Sequence, residues 1–519
     1  MTAILTNNFR LKQAELFLKA FESDPDKNIY LGIGRPNAWP DELNPTPPID
    51  NITTIADCYA TLMSLKKLST SDVINVIPRF DWKTNTKFIS YTNTDENLFL
   101  HPTQAELDAA ELGSYIAGSF YCMNDEYRVY KCLKAGTGVS TVQPSLTILT
   151  PFETSDGYIW KYMFTIPTAM VDKYLTQGWI PVRFLSLDDG SSQWQVQQNA
   201  VAGSIESISI LAGGSSYVKL FSGNVVSASG STIQFDSAVG STDLTNETVY
   251  IASGTGSGQY FKIQSYNTGT RTAVITGGTF SPVPTAASTY QIIPTLTMTG
   301  DGVNFKARCV FSGGTITNII VTNAGSGYTF GNITLSTGSG YDLNANVSPL
   351  DGHGSNPIIE LGGSYLMVST ILEYEEGSDV ITDNDYRRYL LISNVNNPNG
   401  TVASALTLNA LKSITISGDS GTFERDEIIQ TSGGAKLIVV SIDAANNKIY
   451  YIQNSTTGTK TFTNSETILG LTSGATANIS TLNVSEMQSS SGEILYIKHM
   501  RRVMRSSSLL EDIRILVKF

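Results

Sequence analysis

The sequence predicts a mainly β protein, and three observations carry that expectation. Forty-four glycines are set among dense Ser, Thr and Asn, a composition that suits many short strands joined by tight turns. Period-two apolar patterns recur, as at Ile513, Ile515 and Val517, and such alternation places side chains on one face of a strand. Two internal repeats, each built on a strand and a glycine turn, lie in the second half of the chain. At 519 residues, 41% hydrophobic and 15% charged, the chain is long enough for roughly two to four domains and can bury a real core.

The first third is mixed in character. Phe9, Leu11, Leu16, Phe17, Ala20 and Phe21 recur at helical spacing, with Thr6 or Asn7 as the cap, and this helix ends before Ser23-Asp24-Pro25-Asp26. Ile29–Gly34 reads as a strand, followed by a proline-rich loop from Pro36 to Pro48. Thr53–Leu68 is expected to form a second helix, with Ile55, Tyr59, Leu62, Met63 and Leu65 on one side. Phe120–Cys122 and Tyr127–Leu133 suggest a hairpin around Asn124-Asp125. In the strand Tyr158–Ile166 the period of two puts Tyr158, Trp160, Tyr162 and Phe164 on one face, for core or interface packing.

From about residue 200 to 350 charges thin out and Gly, Ser and Thr dominate. Here Ser204–Tyr217 aligns with Thr315–Tyr328: Ile205, Ile208, Ile210 and Tyr217 match Ile316, Ile319, Val321 and Tyr328. Each copy reads as a strand entering a Gly-Ser turn closed by a tyrosine. A second repeat lies between about 406 and 484, where Phe423, Glu427, Ile429 and Gly434-Ala435 correspond to Phe462, Glu466, Ile468 and Gly474-Ala475. Two copies of a strand–turn–strand unit predict a compact barrel or sandwich with pseudo-symmetry. Glu493–Ile497 and Asp512–Phe519 read as closing strands, with the basic residues Lys498, Arg501, Arg502 and Arg505 in a solvated loop between them.

A net charge of −12 argues against nucleic-acid binding, which needs a basic face. Cys58, Cys122, Cys132 and Cys309 form no CxxC pair, so buried free thiols are expected and a structural zinc site is not. Cys122 and Cys132 flank the hairpin turn, which leaves a facing pair open. The start, MTAILTNNFR, carries no apolar signal region and no run of eighteen apolar residues occurs, which predicts synthesis in the cytoplasm and no membrane span.

No constellation for catalysis stands out, and no enzyme activity, cofactor or metal is expected. His101, His353 and His499 are far apart and outside any ligand spacing. Gly32-Ile-Gly34-Arg35-Pro36 lacks the third glycine and the following helix of a dinucleotide loop. Glu375-Glu376, Asp125-Glu126 and Asp188-Asp189 are acid pairs by adjacency alone, better read as solvated turns than as glycosidase carboxylates.

Several segments together resemble the gene-product-eight wedge subunit of T-even-like contractile phages. They are Pro25-Asp-Lys-Asn-Ile-Tyr-Leu-Gly-Ile-Gly-Arg-Pro-Asn-Ala-Trp39, Val76-Ile-Pro-Arg-Phe-Asp-Trp82, Val129–Leu133, Asp156–Pro167, Asp385–Asn394, Gly492–Ile497 and Asp512–Phe519. The residues that carry the likeness are Gly34, Arg35, Trp39, Pro78, Arg79, Asp81, Trp82, Asp156, Gly157, Trp160 and Arg387. The resemblance implies a β-sandwich core with a few helices and an α+β N-terminal part, interrupted by two small β-domains. The expected division is a wedge core over 1–200, 355–405 and 485–519, with insertions at 201–354 and 406–484. It further implies a structural baseplate protein of the virion tail, assembled in the host cytoplasm. Its partners would be a second copy, other wedge subunits, and tail-fibre or peripheral baseplate proteins. The alternative is a host receptor- or glycan-binding tail protein, using the insertions and Phe221, Tyr250, Tyr260 and Tyr290 as stacking surfaces. Within the motifs, Arg79 and Asp81 are expected on one face of an extended segment, able to pair, with Trp82 buried beside Phe80. Gly157 is expected at a turn requiring positive φ.

Overall fold

The computed structural model describes residues 5–22, 27–93, 119–374, 376 and 379–519. It is mainly β, as expected, and its contacts divide the chain into two units: Met1–Val76 with Ser364–Phe519, and Ile77–Gly363.

In the first unit an antiparallel sheet runs in the order Thr407–Asn409, Leu62–Lys67, Ile29–Gly34, Asp385–Ser393, Glu493–Met504. A second sheet sets Tyr365–Glu373 between Val73–Pro78 and Leu510–Lys518. Ile29, Leu31 and Ile33 from the first sheet and Leu366, Val368, Ile513 and Ile515 from the second share one core. The other side of the first sheet, with Tyr30, Leu390 and Ile392, is covered with help from Cys58 of the helix Ile52–Ala60. Ile29–Gly34 is thus buried along its whole length, which explains its unbroken apolar character. Gly32 lets the neighbouring leucines pack closely there, since a Cβ would lie 3.0 Å from Leu62 and 3.3 Å from both Leu65 and Leu390.

Three expectations about strands and helices need correction. The helix expected over Thr53–Leu68 stops at Ala60, and Leu62–Lys67 is a strand between Ile29–Gly34 and Thr407–Asn409. A short apolar run does not separate helix from strand by periodicity, and sheet pairing decided it. The basic segment after Ile497 is no loop: its strand continues to Met504, and Arg505 is 1% exposed, ion-paired to Glu511 at 3.0 Å. In the second unit Phe164 leaves the face of Tyr158, Trp160 and Tyr162 for a different core. A bulge does this: Val129 opposes Phe164 while the next residue, Tyr130, opposes Tyr162, so Met163 is extra.

The second unit holds a sheet in the order Tyr121–Met123, Arg128–Lys134, Ile159–Thr165, Phe152–Glu153. Cys122 pairs with Tyr130 rather than Cys132, and all four cysteines are free and buried. Beyond it the repeat centred on Tyr217 and Tyr328 forms one core with Ile205, Ile208, Ile316 and Ile319. The copies are related in their pairing. Ile205–Ser215 pairs with Ser339–Val347, and Thr315–Ser326 with Val303–Ser312; Ala345 opposes Ile208 as Cys309 opposes Ile319. Even the irregularities correspond, at Asp342/Leu343 and Asn346/Val347 in one pair and at Lys306/Ala307 and Val310/Phe311 in the other. Each tyrosine ring fills the space where Cβ atoms would stand, Tyr217 at Gly214 and Gly338, Tyr328 at Gly325 and Gly302.

Among the described residues there are also two closed six-stranded barrels, one within each unit. The first runs Phe221–Ala228, Thr232–Phe235, Thr272–Thr276, Tyr260–Asn267, Thr248–Ser253, Thr289–Ile293. It is set between the halves of the tyrosine repeat, which the single insertion expected at 201–354 did not separate. The second runs Lys412–Ser420, Lys448–Ile452, Lys436–Asp443, Ile428–Thr431, Thr467–Gly470, Thr476–Asn483. Moving the first barrel's opening strand to its end converts its order into that of the second. Both use the same corner. A left-handed residue, Asn246, Asp426 or Ser465, precedes Glu247, Glu427 or Glu466. It donates its N–H to Ile263, Val439 or Ile479, whose own N–H returns to the glutamate carbonyl at 2.8–3.0 Å. In the second barrel the Glu427 carboxylate also accepts from the N–H groups of Glu424, Thr472 and Ser473.

Candidate functional site

In the first unit the loop after Ile29–Gly34 builds the richest surface feature. Gly34 lies so close to the neighbouring strand that a Cβ would stand 2.7 Å from the Thr61 carbonyl. Arg35 then takes a left-handed backbone, φ 60°, held by its N–H to that same carbonyl at 2.8 Å; a non-glycine residue there stores strain. Its guanidinium stacks 3.7 Å above the Trp39 ring and its Nη1 donates to Asp57 at 3.3 Å. Trp39 in turn donates from Nε1 to the Met500 carbonyl at 2.9 Å and packs on His499, with ring centres 4.5 Å apart. His499 Nδ1 bonds the Thr46 carbonyl at 2.7 Å, and Arg501 donates to that of Leu43. The loop therefore covers Glu493–Met504, the outermost strand of its sheet, which would otherwise present free backbone groups.

Arg387 and Arg388 stand on the strand between. Arg387 donates to Glu42 at 2.7 Å and to the Pro36 carbonyl, tying down the loop. Arg388, almost fully buried, donates to Asp57 at 2.7 Å and Thr61 at 3.0 Å. Asp57 thus faces two guanidiniums. Burial, joined by Arg388 and Arg387, holds Arg35 below the usual arginine range despite Asp57, and burial with Arg388 and Arg35 pushes His499 down as well. Around this cluster opens a cleft of about 840 Å³ lined by Arg35, Trp39, Ile49, Ile52, Asp57, Arg388, His499 and the Gln453–Thr459 loop of the second barrel.

The remaining motif residues, all in the second unit, hold turns and strands together. Arg79 pairs with Asp81 at 2.8 Å, as the extended spacing suggested, and donates to the Thr176 carbonyl at 2.7 Å. The Pro78 carbonyl accepts from Tyr121 at 2.7 Å. Trp82 is only half-buried and joins a different core from Phe80, so the expected pairing of those two rings does not form. Instead its Nε1 donates to Ser140, whose hydroxyl donates to Asp156. Asp156 also accepts from the Thr154 hydroxyl and from the Thr141 and Val142 N–H groups; burial works to raise its carboxyl, and these bonds, Thr154 first, pull it down. Gly157 has the expected positive φ, 83°, and Trp160 is fully buried.

The same unit contains a charged cluster that sequence inspection missed. Lys131 Nζ lies 2.9 Å from Glu360 and 3.0 Å from His353 Nδ1, with the Tyr91 ring 4.0 Å away and Lys131, Glu360 and His353 all inaccessible. Glu360 also accepts from Gly354 N–H at 2.7 Å. Burial alone would raise its carboxyl; Lys131 and His353 outweigh that and hold it at about 2. Burial and Lys131 depress His353. The signal available was Lys131 itself, a cation inside the apolar hairpin strand Val129–Leu133, but its partners are more than two hundred residues away.

The acid pairs are not brought together into a cleft of carboxylates. Glu376 pairs with Lys66, Glu126 with Arg128 and Asp189 with Arg183, while Asp188 caps Gly190. His101 and Glu375 lie outside the described residues. Among the described residues no group of three or more His, Cys, Asp and Glu is placed to hold a metal, and no helix is long and apolar enough to cross a membrane.

These features define a class first: a β-built modular protein whose charged residues are largely committed to clamping loops onto sheets. Comparison adds a family likeness. The family model described as "Bacteriophage T4, Gp8" matches residues 3–134, a span that takes in Gly34, Arg35, Trp39, Asp57, Arg79 and Asp81. The baseplate wedge protein gp8 of Enterobacteria phage T4 is 27% identical over 231 residues, covering 38% of this chain and 66% of that protein. The chain thus spans just under two thirds of the length of this relative. Both comparisons support the resemblance read from the motifs.

Proposed function

We propose that the chain is a structural subunit of the baseplate wedge in a contractile phage tail. In this reading it is made and assembled in the host cytoplasm, dimerises, and joins neighbouring wedge subunits at the periphery of the virion baseplate. The observation that carries the reading is the likeness to a baseplate wedge protein over residues that here fix loops to sheet edges. The motif residues act mechanically: Arg387 and Trp39 clamp one loop, and Asp156 closes another through three hydrogen bonds from residues 140–142. Host binding through an aromatic platform draws little support. Tyr290 is buried in its barrel, Tyr250 lies 3.8 Å beneath Arg308, and the Tyr260 hydroxyl is bonded to Thr322.

The test is the solution mass of the purified 56.1 kDa chain by light scattering, followed by co-assembly with candidate wedge proteins. A dimer that enters a wedge complex is expected. A trimer, or failure to enter any complex, would count against the reading.

A further inference from the structure

The cleft beside Arg35 has three features that internal packing leaves unexplained. First, its charges do not balance. Of its titratable lining residues, Arg35 and Arg388 are cations, while Asp57 is the single acid and receives the ion pairs of both arginines. Of the nearby loop acids, Asp41 accepts from Leu43 and Asn44, and Glu42 pairs with Arg387 and reaches Arg35 only through its field. Second, the Nε groups of Arg35 and Arg388 are buried without an acceptor, although guanidiniums favour two-pronged contact with a carboxylate. Third, the lip of the cleft is apolar and open: Ile49 is 62% and Ile52 85% exposed. This surplus of positive charge stands on a chain whose net charge is −12.

We propose that this cleft seats an acidic segment of another baseplate polypeptide, one carboxylate on Arg35 and an adjoining apolar side chain on Ile49 and Ile52. The inference rests on the wedge-subunit reading and names the contact chemistry of one of its surfaces. A volume of about 840 Å³ accommodates a few side chains and falls in the usual range for binding clefts. The left-handed backbone at Arg35 has a purpose in this light. It aims the guanidinium across Trp39 and into the cleft, where strain of this kind is characteristic of ligand clamps. The barrel loop Gln453–Thr459 forms part of the wall, so the second barrel helps select the segment that enters.

The experiment replaces Ile52 by the photoreactive p-benzoylphenylalanine in the full chain and irradiates assembled tails. Mass spectrometry first establishes that the chain is in the tails, then identifies what it has joined. The expected product is a different polypeptide, linked through a segment with Asp or Glu next to an apolar residue, and its yield falls at least several-fold in Arg35→Gln. A link to a second copy of this chain, a link to a segment without an acid, or no link in tails that contain the chain would overturn the inference alone. Absence of the chain from the tails would overturn the wedge reading and this inference with it. Thermal unfolding of purified Arg35→Gln is run alongside; a yield that falls only in proportion to lost folded protein also overturns the role given to Arg35.

Discussion

Each unit buries a cluster of opposite charges, and the two clusters are closed to different degrees. At Lys131, Glu360 and His353 the charges are sealed from water, and the carboxylate takes a backbone N–H as well. At Arg35, Arg388 and Asp57 the acid is about one-third exposed, one guanidinium stacks on an indole, and a cleft opens beside the group. A sealed cluster is a fold device: any unpaired member is left in a medium that cannot solvate it. A half-open one can exchange partners, because water or a ligand can complete it. Access to water, more than the presence of charge, separates the structural cluster from the candidate site.

That contrast can be broken by substitution. Lys131→Met should have the largest effect, about 3–5 kcal/mol of stability, because it strands Glu360 without its cation. The urea midpoint measures it, and Lys131→Met combined with Glu360→Met should recover much of the loss. A smaller cost, about 1–3 kcal/mol, is expected for Gly34→Ala, whose Cβ would press on the Thr61 carbonyl; the loop should then release Trp39, visible in its fluorescence. Acid should sharpen the comparison further. His353 is held below its ordinary 6.5, so the unfolded chain takes up a proton that the folded chain refuses, and stability declines as pH falls below about 6.5. Glu360, lowered from 4.5 to about 2, adds a second loss between those values. His353→Gln should flatten the upper part of the unfolding-midpoint curve against pH; an unchanged curve would contradict the sealed-cluster account. The smallest effect, about 1 kcal/mol or less, is expected for Arg35→Gln, since Asp57 keeps Arg388.

What could be read in the sequence was local. Period-two patterns placed the closing strand at Ile513 and Ile515, and matched tyrosines and glutamates exposed both repeats. Gly157 before an aromatic strand announced its own backbone. Pairing across the chain was not legible. Leu62–Lys67 carries side chains acceptable to a helix or a strand, and only its neighbours in the sheet choose. Phe164 obeyed its alternation until one extra residue, Met163, reversed it. The site suffered most. Arg35 and Trp39 were singled out through resemblance, but Asp57, Arg388 and His499 come from three separate stretches that meet only in the folded unit. The corner at Asn246-Glu247 escaped notice because its barrel starts one strand earlier than the other, which shifts the repeat out of alignment.

The first barrel enters and leaves its host at one place, since Phe221 is paired directly opposite Ile292. Paired residues of neighbouring strands stand only about 5 Å apart, so to the surrounding fold more than seventy residues occupy the span of a tight turn. An attachment of that kind can lengthen, shorten or be exchanged for another cargo without disturbing the register of the strands that carry it. The mount and the attachment are therefore free to diverge at separate rates.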